Sequence, residues 1–176
     1  MGPDLTIRQA TREDAEAIGR VHVGTWQAAY SGLIPKEFLD ALSIAKRASV
    51  WREWLGEGLG PMEFVRVAER GEQVVGFVNA GSSRDEDASE VIGELRAIYV
   101  LSEHWDSGAG GALMSEALDW LRTRYREATL WVIDGNVRAR RFYERFRWFF
   151  DGTEKKDDSR GFVLNEVRYR IAFADD

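Results

Sequence analysis

A loop of small residues between a predicted strand and a predicted helix is the first segment that suggests chemistry. Residues 103–113 read EHWDSGAGGAL, after the alternating run ELRAIYV and before the helical pattern LMSEALDWLRTRY. The first N–H groups of a helix lack partners within the helix, and the helix dipole adds partial positive charge there. Small side chains would let a phosphate reach these groups, here at Ser107, Gly108, Ala109, Gly110 and Gly111. On its own, the loop is also consistent with a tight turn whose glycines only satisfy packing.

The same loop contains an acid, Asp106, and no lysine or arginine. We therefore expect backbone N–H groups alone to bind any phosphate, with the Asp106 carboxylate pointing away from it. No Gly-Lys-Ser/Thr sequence follows, so the loop is not a Walker A motif, and the preceding strand does not begin a good dinucleotide-binding fingerprint.

A second motif lies in residues 134–149, which read DGNVRARRFYERFRWF. Asn136 stands where a strand becomes a helix, so its amide could bond to peptide-like groups of a ligand. Seven residues later, Tyr143 shares one helix face with Ala139, Phe142 and Phe146. This spacing is typical of a core stripe, but the phenol of Tyr143 could instead donate a proton.

Composition and charge limit the classes of function. The length of 176 residues predicts one domain over residues 1–176. The composition, 44% hydrophobic and 31% charged, is typical of a globular protein. A net charge of −6 argues against a nucleic-acid partner. The chain has no cysteine, and His22 and His104 stand far apart, so we expect no metal site. No signal peptide or membrane-length apolar run is visible, which favours a cytoplasmic protein without a membrane partner. A homodimer is compatible with the sequence but cannot be read from it.

Apolar periodicity predicts the element order β-α-α-β-β-β-α-β-α-β-β. The first strand is 5–10, a capping box at Thr11 and Asp14 begins a helix, and Gly32 ends it. Further helical segments begin at Pro35 and Ser43. The single strand–helix–strand crossover at about 91–133 predicts one parallel strand pair in an otherwise antiparallel sheet. The fold class is therefore α/β, with helices on both faces.

The combination ELRAIYV…SGAGGALM…LWV…GN..ARRFYER resembles the GNAT superfamily of acyl-CoA-dependent N-acetyltransferases. The resemblance covers essentially the whole chain, and HVGTWQAAYSGLIP resembles a small-molecule branch. The family's pyrophosphate loop maps onto residues 105–110, and its Asn…Phe-Tyr-Glu segment onto residues 136–144. The chain departs from the family pattern at the head of the loop, within the loop, and after the last helix, at Trp105, Ser107, Gly111 and Arg147.

The resemblance implies that acetyl-CoA lies in a cleft where two parallel strands splay apart. Backbone groups of Ile98, Tyr99 and Val100 would pair with the pantetheine arm. Asn136, Arg140 and Tyr143 would border the arm and the sulfur. The pyrophosphate would sit on the loop, at Asp106, Ser107, Gly108, Ala109, Gly110, Gly111 and Ala112.

The reaction would be attack of a neutral amine on a thioester, so a base must first remove a proton from the amine. Alternation along the strand places Glu94, Arg96 and Ile98 on one face, which makes Glu94 the first candidate for the base. Glu94 could equally be a surface carboxylate or one paired with Arg96 or another cation, and Asp134 is the second candidate. Tyr143 would protonate the leaving thiolate.

Substrate recognition is expected on the first helix, where Trp26 and Tyr30 stand one turn apart and could bind an amine by cation–π attraction. Trp26 is equally consistent with a core residue, and His22 fits the core or the rim of the site better than a base. The sequence thus predicts an N-acetyltransferase for a small primary amine: a polyamine, an amino acid or an amino antibiotic. The alternative is a non-catalytic module that binds CoA.

Overall fold

Seven strands form one sheet in the order β1-β2-β3-β4-β5-β7-β6 in the computed structural model, which describes residues 4–173. Residues 1–3, which belong to the segment where we predict no signal peptide, lie outside the described residues. The strands are β1 (Leu5–Gln9), β2 (Glu63–Arg70), β3 (Gln73–Ser82), β4 (Ile92–Val100), β5 (Glu127–Ile133), β6 (Phe149–Asp157) and β7 (Leu164–Ala172). The helices are α1 (Ala15–Ala29), α2 (Lys36–Asp40), α3 (Ile44–Gly56), α4 (Ala109–Arg122) and α5 (Val137–Arg145).

The predicted sheet topology is confirmed. β4 and β5 are parallel and are joined through α4, whereas the other neighbouring strands are antiparallel. Three helices precede β2 rather than the two in the predicted order, because the segments that begin at Pro35 and Ser43 form separate helices.

Helices cover both faces of the sheet, as predicted. On one face, α4 buries Leu113, Met114 and Leu121 against Val78 and Leu130 of the sheet. Phe142 and Phe146 of α5 pack against the same core, which confirms that they belong to a core stripe.

On the opposite face, Ile18 and Val21 of α1 and Trp51 of α3 pack on Val65 and Phe77. A third, smaller cluster continues this face towards β5 and β7 and includes Trp26, Ile133 and Leu164. Burial of each such side chain stabilises the fold by about 1.5–3 kcal/mol, so the two cores fix the position of the sheet between the helices.

Local signals in the sequence account for several element ends. The backbone N–H of Thr11 donates to Asp14 Oδ2 over 2.7 Å, so the capping box forms with aspartate in the place of glutamate. The Ser43 hydroxyl caps α3 by accepting from the N–H of Lys46 over 3.2 Å. Gly32 takes φ +79°, the left-handed conformation expected after α1.

Candidate active site

The parallel strands β4 and β5 separate after a short paired stretch. Pairing between them covers Ile92–Glu94 of β4 and 127–129 of β5, while β4 continues to Val100 and β5 to Ile133. A β-bulge lies where they part, because Ala80 of β3 faces Leu95 but Asn79 faces Ala97. A bulge bends and twists its strand. The splayed pair predicted from the family resemblance is therefore present, and it opens a gap in the sheet.

The bulge also corrects one prediction. Simple alternation placed Glu94, Arg96 and Ile98 on one face of β4, but Arg96 is the extra residue of the bulge. Leu95 and Ile98 both pack on the core beneath α4. Glu94 therefore faces the opposite side of the sheet from Ile98, the side covered by α1 and α3.

A cleft of about 1790 Å³ runs through the gap from one face of the sheet to the other. It brings together residues from α1, α3, β4, the loop before α4, and α5. The predicted site residues that line it are Trp26, Tyr30, Glu94, Ile98, Tyr99, Val100, Asp106, Gly108, Gly110, Gly111, Asn136 and Tyr143. Other predicted residues do not line it, namely Ser107, Ala109, Ala112, Asp134 and Arg140.

The loop before α4 presents free backbone N–H groups to this cleft. Gly108 takes φ +90° and precedes the first helical residue, Ala109. The N–H of Ala112 already donates to the carbonyl of Gly108 over 3.0 Å. Among the described residues, the N–H groups of 108–111 have no hydrogen-bond acceptor. Because these donors lie at a helix N-terminus, they form a site suited to an anion.

Trp105, at the head of the loop, binds the end of β4 rather than a ligand phosphate. Its indole N–H donates to the carbonyl of Val100 over 2.8 Å, and the Thr25 hydroxyl donates to the same carbonyl over 3.2 Å. The guanidinium of Arg138 lies 4.4 Å from the centre of the indole ring. The same guanidinium pairs with Asp106 over 3.0 Å, so the acid of the loop has a cation beside it.

On α5, the arginine that reaches the cleft differs from the predicted one. Arg140 donates to Asp134 Oδ1 over 2.6 Å and to the Tyr169 hydroxyl over 3.0 Å, which holds it outside the cleft. Arg138, Arg141 and Arg145 line the cleft instead. They stand three and four residues apart along the helix, so helical spacing could have identified them as one face. Asn136 caps α5, since its Oδ1 accepts from the N–H of Ala139 over 3.1 Å.

Tyr143 lies on α5 at the wall of the cleft, and its hydroxyl has no hydrogen-bond partner among the described residues. Burial, with a smaller contribution from Tyr99, raises the pKa of the Tyr143 phenol well above its ordinary value. The phenolate is disfavoured because a charge there would lose its solvation. A tyrosine carries its proton at neutral pH even at its ordinary pKa, so Tyr143 is a neutral phenol in the cleft, and the raised pKa makes it a weaker proton donor than a solvated tyrosine.

Glu94 is almost fully buried and is bound by Arg84, which follows β3. The Arg84 backbone N–H and Nε both donate to Oε2 over 3.0 Å, and Nη2 donates to Oε1 over 2.8 Å. The pairing with a cation that the sequence left open is thus observed, with Arg84 rather than Arg96 as the partner. These three hydrogen bonds stabilise the charged carboxylate. Oε1 retains capacity to accept one more hydrogen bond.

Comparison with known proteins identifies the family of this chain. The model of the acetyltransferase (GNAT) family matches residues 26–148, more than half of the sequence. The chain belongs to the GNAT acetyltransferase family. This assignment confirms the resemblance that the sequence motifs suggested.

Two curated relatives support the family assignment of this GNAT protein. It is 34% identical to the uncharacterized N-acetyltransferase YuaI of Bacillus subtilis over 133 residues, which cover 75% of this chain and 73% of that protein. It is 31% identical to an uncharacterized N-acetyltransferase of Archaeoglobus fulgidus over 143 residues, which cover 79% and 89% of the two chains.

The fold is that of solved GNAT structures. The crystal structure of PaiA N-acetyltransferase from Thermoplasma acidophilum, in complex with coenzyme A, superimposes with a TM-score of 0.70. The match covers 97% of this chain and 99% of that one at 19% identity, so it supports the fold alone.

In this acetyltransferase, the half of the cleft beside α1 and α3 is lined mainly by aromatic side chains. The rings of Trp26 and Tyr30 meet edge to face with centres 5.0 Å apart, and the Arg47 guanidinium lies 5.9 Å from the Trp26 ring. Trp26 is buried in the third cluster, as expected of a core residue, and it also lines the cleft, while binding of an amine by its ring stays a prediction. Burial, and then the charge of Arg47, lower the pKa of His22 to about 3. His22 is therefore neutral at physiological pH and too weak a base to deprotonate an amine.

None of the helices within residues 4–173 is long and apolar enough to cross a membrane. The same part of the chain contains no cluster of three or more histidine, aspartate or glutamate side chains arranged to hold a metal ion.

Proposed function

We propose that this protein transfers an acetyl group from acetyl-CoA to the primary amine of a small molecule. The observation that carries the proposal is the separation of β4 and β5 beside a row of unpartnered N–H groups. An extended pantetheine arm can pair with the free edge of β4 while its pyrophosphate binds the start of α4. In this arrangement the thioester would lie inside the sheet, between the half of the cleft that contains Tyr143 and the half that contains Glu94.

The pyrophosphate would be held by the backbone N–H groups of 108–111 and by the dipole of α4. Arg141 would add positive charge from α5 that the loop itself lacks, so binding would not rest on backbone N–H groups alone, contrary to the expectation from the sequence. The Asp106 carboxylate is held by Arg138, so its charge is offset near the anion. Residues 98–100 would bind the pantetheine arm along β4. Asn136 borders the same path but uses its carbonyl oxygen to cap α5.

Proton transfers would be divided between the two halves of the cleft. The acceptor amine loses a proton, its nitrogen attacks the thioester carbonyl, and a backbone N–H near Val100 stabilises the oxyanion. Glu94 is the proposed base, and its remaining hydrogen-bonding capacity at Oε1 suits removal of the proton through a water molecule. The C–S bond then breaks as Tyr143 donates its proton to the thiolate, and the second proton that the nitrogen loses passes through solvent and restores the Tyr143 phenol. Asp134 is a weaker candidate for the base because Arg140 holds it outside the cleft.

The test is turnover of acetyl-CoA with a panel of small amines. We expect release of free thiol together with an acetylated amine in equal amounts, identified by mass spectrometry. Release of thiol without acetylated amine would indicate hydrolysis. Binding of CoA without turnover of any amine would favour the alternative, a non-catalytic CoA-binding module. The feature that supports this alternative is the absence of lysine and arginine from the loop.

A further inference from the structure

The half of the cleft beside α1 and α3, where the amine would bind, is called here the acceptor half. Several buried polar atoms without a partner line this half. Within the described part of the chain, His22 Nδ1 and Nε2, Asn79 Oδ1 and Arg96 Nε are all buried and lack a hydrogen-bond partner. Leaving such an atom unsatisfied costs free energy, and native proteins rarely do so without a reason. Their convergence from α1, β3 and β4 on one cavity indicates a polar ligand.

Charges in this half of the cleft are unbalanced. Its carboxylates each have a cationic partner: Glu94 pairs with Arg84, Asp157 with Arg160, and Glu166 with Lys155. Two further cations, Arg47 and Arg96, also line the cleft. Among residues 4–173, neither of these two forms an ion pair. The acceptor half therefore has positive charge to offer to a ligand.

Arg96 is held in place by features built around it. It is the extra residue of the β4 bulge, a position from which a side chain can be redirected towards a site. Its guanidinium lies on Gly81, where an added Cβ would come within 2.6 Å of Arg96 Cζ. Nη2 donates to the carbonyl of Ser82 over 2.9 Å, which leaves Nη1 for a ligand.

The surroundings of Arg96 favour binding of an anion. Burial, followed by repulsion from Arg84, lowers the pKa of the Arg96 guanidinium, while Glu94 and Glu63 oppose this change. Glu63 is occupied by the Trp54 indole and the Gly60 N–H, and Glu94 is occupied by Arg84. A carboxylate on the ligand would thus meet a partly desolvated cation whose acidic neighbours are already engaged.

We propose that the acceptor of this transferase is an amine that also carries a carboxylate, α-amino acids being the simplest members, and that Arg96 binds this carboxylate. The inference rests on the proposed acetyl transfer and names its substrate class. Arg47 adds positive charge beside Trp26, and the amine end of the acceptor lies towards Glu94. A polyamine offers only positive charge to Arg47 and Arg96, so it is disfavoured.

Matched pairs of acceptors test the inference. Phenylalanine would be compared with phenethylamine, and methionine with 3-(methylthio)propylamine, by release of thiol from acetyl-CoA. We expect kcat/KM for the member with the carboxylate to be about 10- to 100-fold higher, as for one charge-assisted hydrogen-bonding contact. In Arg96→Gln this preference should fall towards one. Gly81→Ala, which pushes the guanidinium from its place, should reduce the preference in the same direction.

Arg52→Gln is the matched control, because Arg52 is an exposed arginine of α3 outside the cleft and should keep the wild-type preference. Equal turnover within each pair, or an unchanged preference in Arg96→Gln, would overturn the inference and leave the acetyl transfer standing. If no acceptor is turned over, the proposed function fails, and binding then decides the inference separately.

Binding can be followed by tryptophan fluorescence, since Trp26, Trp51 and Trp54 line the cleft. In the presence of CoA, phenylalanine should bind more tightly than phenethylamine, and Arg96→Gln should remove the difference. Equal binding of the two, or binding of neither, would overturn the carboxylate site.

Discussion

At the residue scale, burial decides which protonation states the cleft contains. The pKa of Tyr143 is raised and that of His22 is lowered, in both cases chiefly because a charge inside the cleft would lose its solvation. Glu94 is buried as well, and Arg84 donates three hydrogen bonds to its carboxylate. A phenol and a carboxylate thus line the same cavity, and these are the two groups to which the proposed mechanism assigns the proton transfers.

The phenol of Tyr143 can be tested by Tyr143→Phe, which keeps the ring that packs on Phe142 and removes the hydroxyl. Turnover of acetyl-CoA with an accepted amine should fall by about 100- to 10,000-fold, the usual contribution of general acid–base catalysis. Affinity for CoA, measured by calorimetry, should change little. Tyr125→Phe is the control, since that hydroxyl bonds to Ser82 outside the cleft. Wild-type turnover in Tyr143→Phe, with chemistry rate-limiting, would remove Tyr143 from the mechanism.

The buried imidazole of His22 predicts a dependence of stability on pH. Its pKa is about 3 in the folded protein and near 6.5 when unfolded, so below pH 6.5 the unfolded state binds a proton that the folded state does not. Stability should therefore decrease as the pH falls. From pH 7 to pH 5 the wild type should lose about 2 kcal/mol more unfolding free energy than His22→Leu.

Urea unfolding of both proteins at the two pH values measures this difference. His104→Leu removes the other histidine of the chain, at the loop before α4, and should retain the wild-type loss. Equal losses in the wild type and His22→Leu would show that His22 is not held neutral in the folded protein.

At the element scale, sequence patterns predicted the order of strands and helices but not their irregularities. Apolar periodicity and one crossover were sufficient for the sheet topology, because both depend on which residues are buried. The bulge at Arg96 depends on pairing with β3, so alternation along β4 alone misplaced Glu94 relative to Ile98. Likewise, Arg84 lies in a polar loop, and only the folded chain brings it to Glu94.

The backbone just after α5 is strained at Arg147, and a substitution can remove this strain. Arg147 takes φ +67°, the left-handed conformation that follows many helices and that glycine adopts without penalty. Arg147→Gly should raise the free energy of unfolding by about 0.5–1 kcal/mol, because release of strain exceeds the added entropy of the unfolded chain. Thermal unfolding measures the gain. Arg147→Ala keeps the strain and should show none; a gain of similar size in that variant would indicate an effect of charge instead.

At the scale of the whole molecule, one buried arginine connects the acceptor side of the cleft to the far edge of the sheet. Arg168 of β7 is nearly inaccessible and donates to Asp151 over 2.8 Å and to Asp87 over 2.8 Å. It also donates to Asp85 over 3.3 Å. Asp85 and Asp87 follow Arg84 in the loop after β3, so this network fixes the loop that supplies the partner of Glu94.

Removal of this arginine should destabilise the fold strongly. Arg168→Met would leave several carboxylates without their cation, and such a loss typically costs about 3–5 kcal/mol of unfolding free energy. Arg126→Met, at an exposed arginine, should change stability by less than about 0.5 kcal/mol. Urea denaturation compares the two variants. A loss below about 1 kcal/mol in Arg168→Met would mean that water or Arg170 replaces the missing charge.

The central claim is that the start of α4 and the free edge of β4 bind acetyl-CoA, and amide NMR during titration with CoA tests it most directly. We predict that the largest shifts fall on the N–H groups of residues 108–111, with further changes along residues 98–100 of β4. Binding of CoA that leaves these amides unchanged and shifts another part of the chain, or absence of binding, would contradict the account.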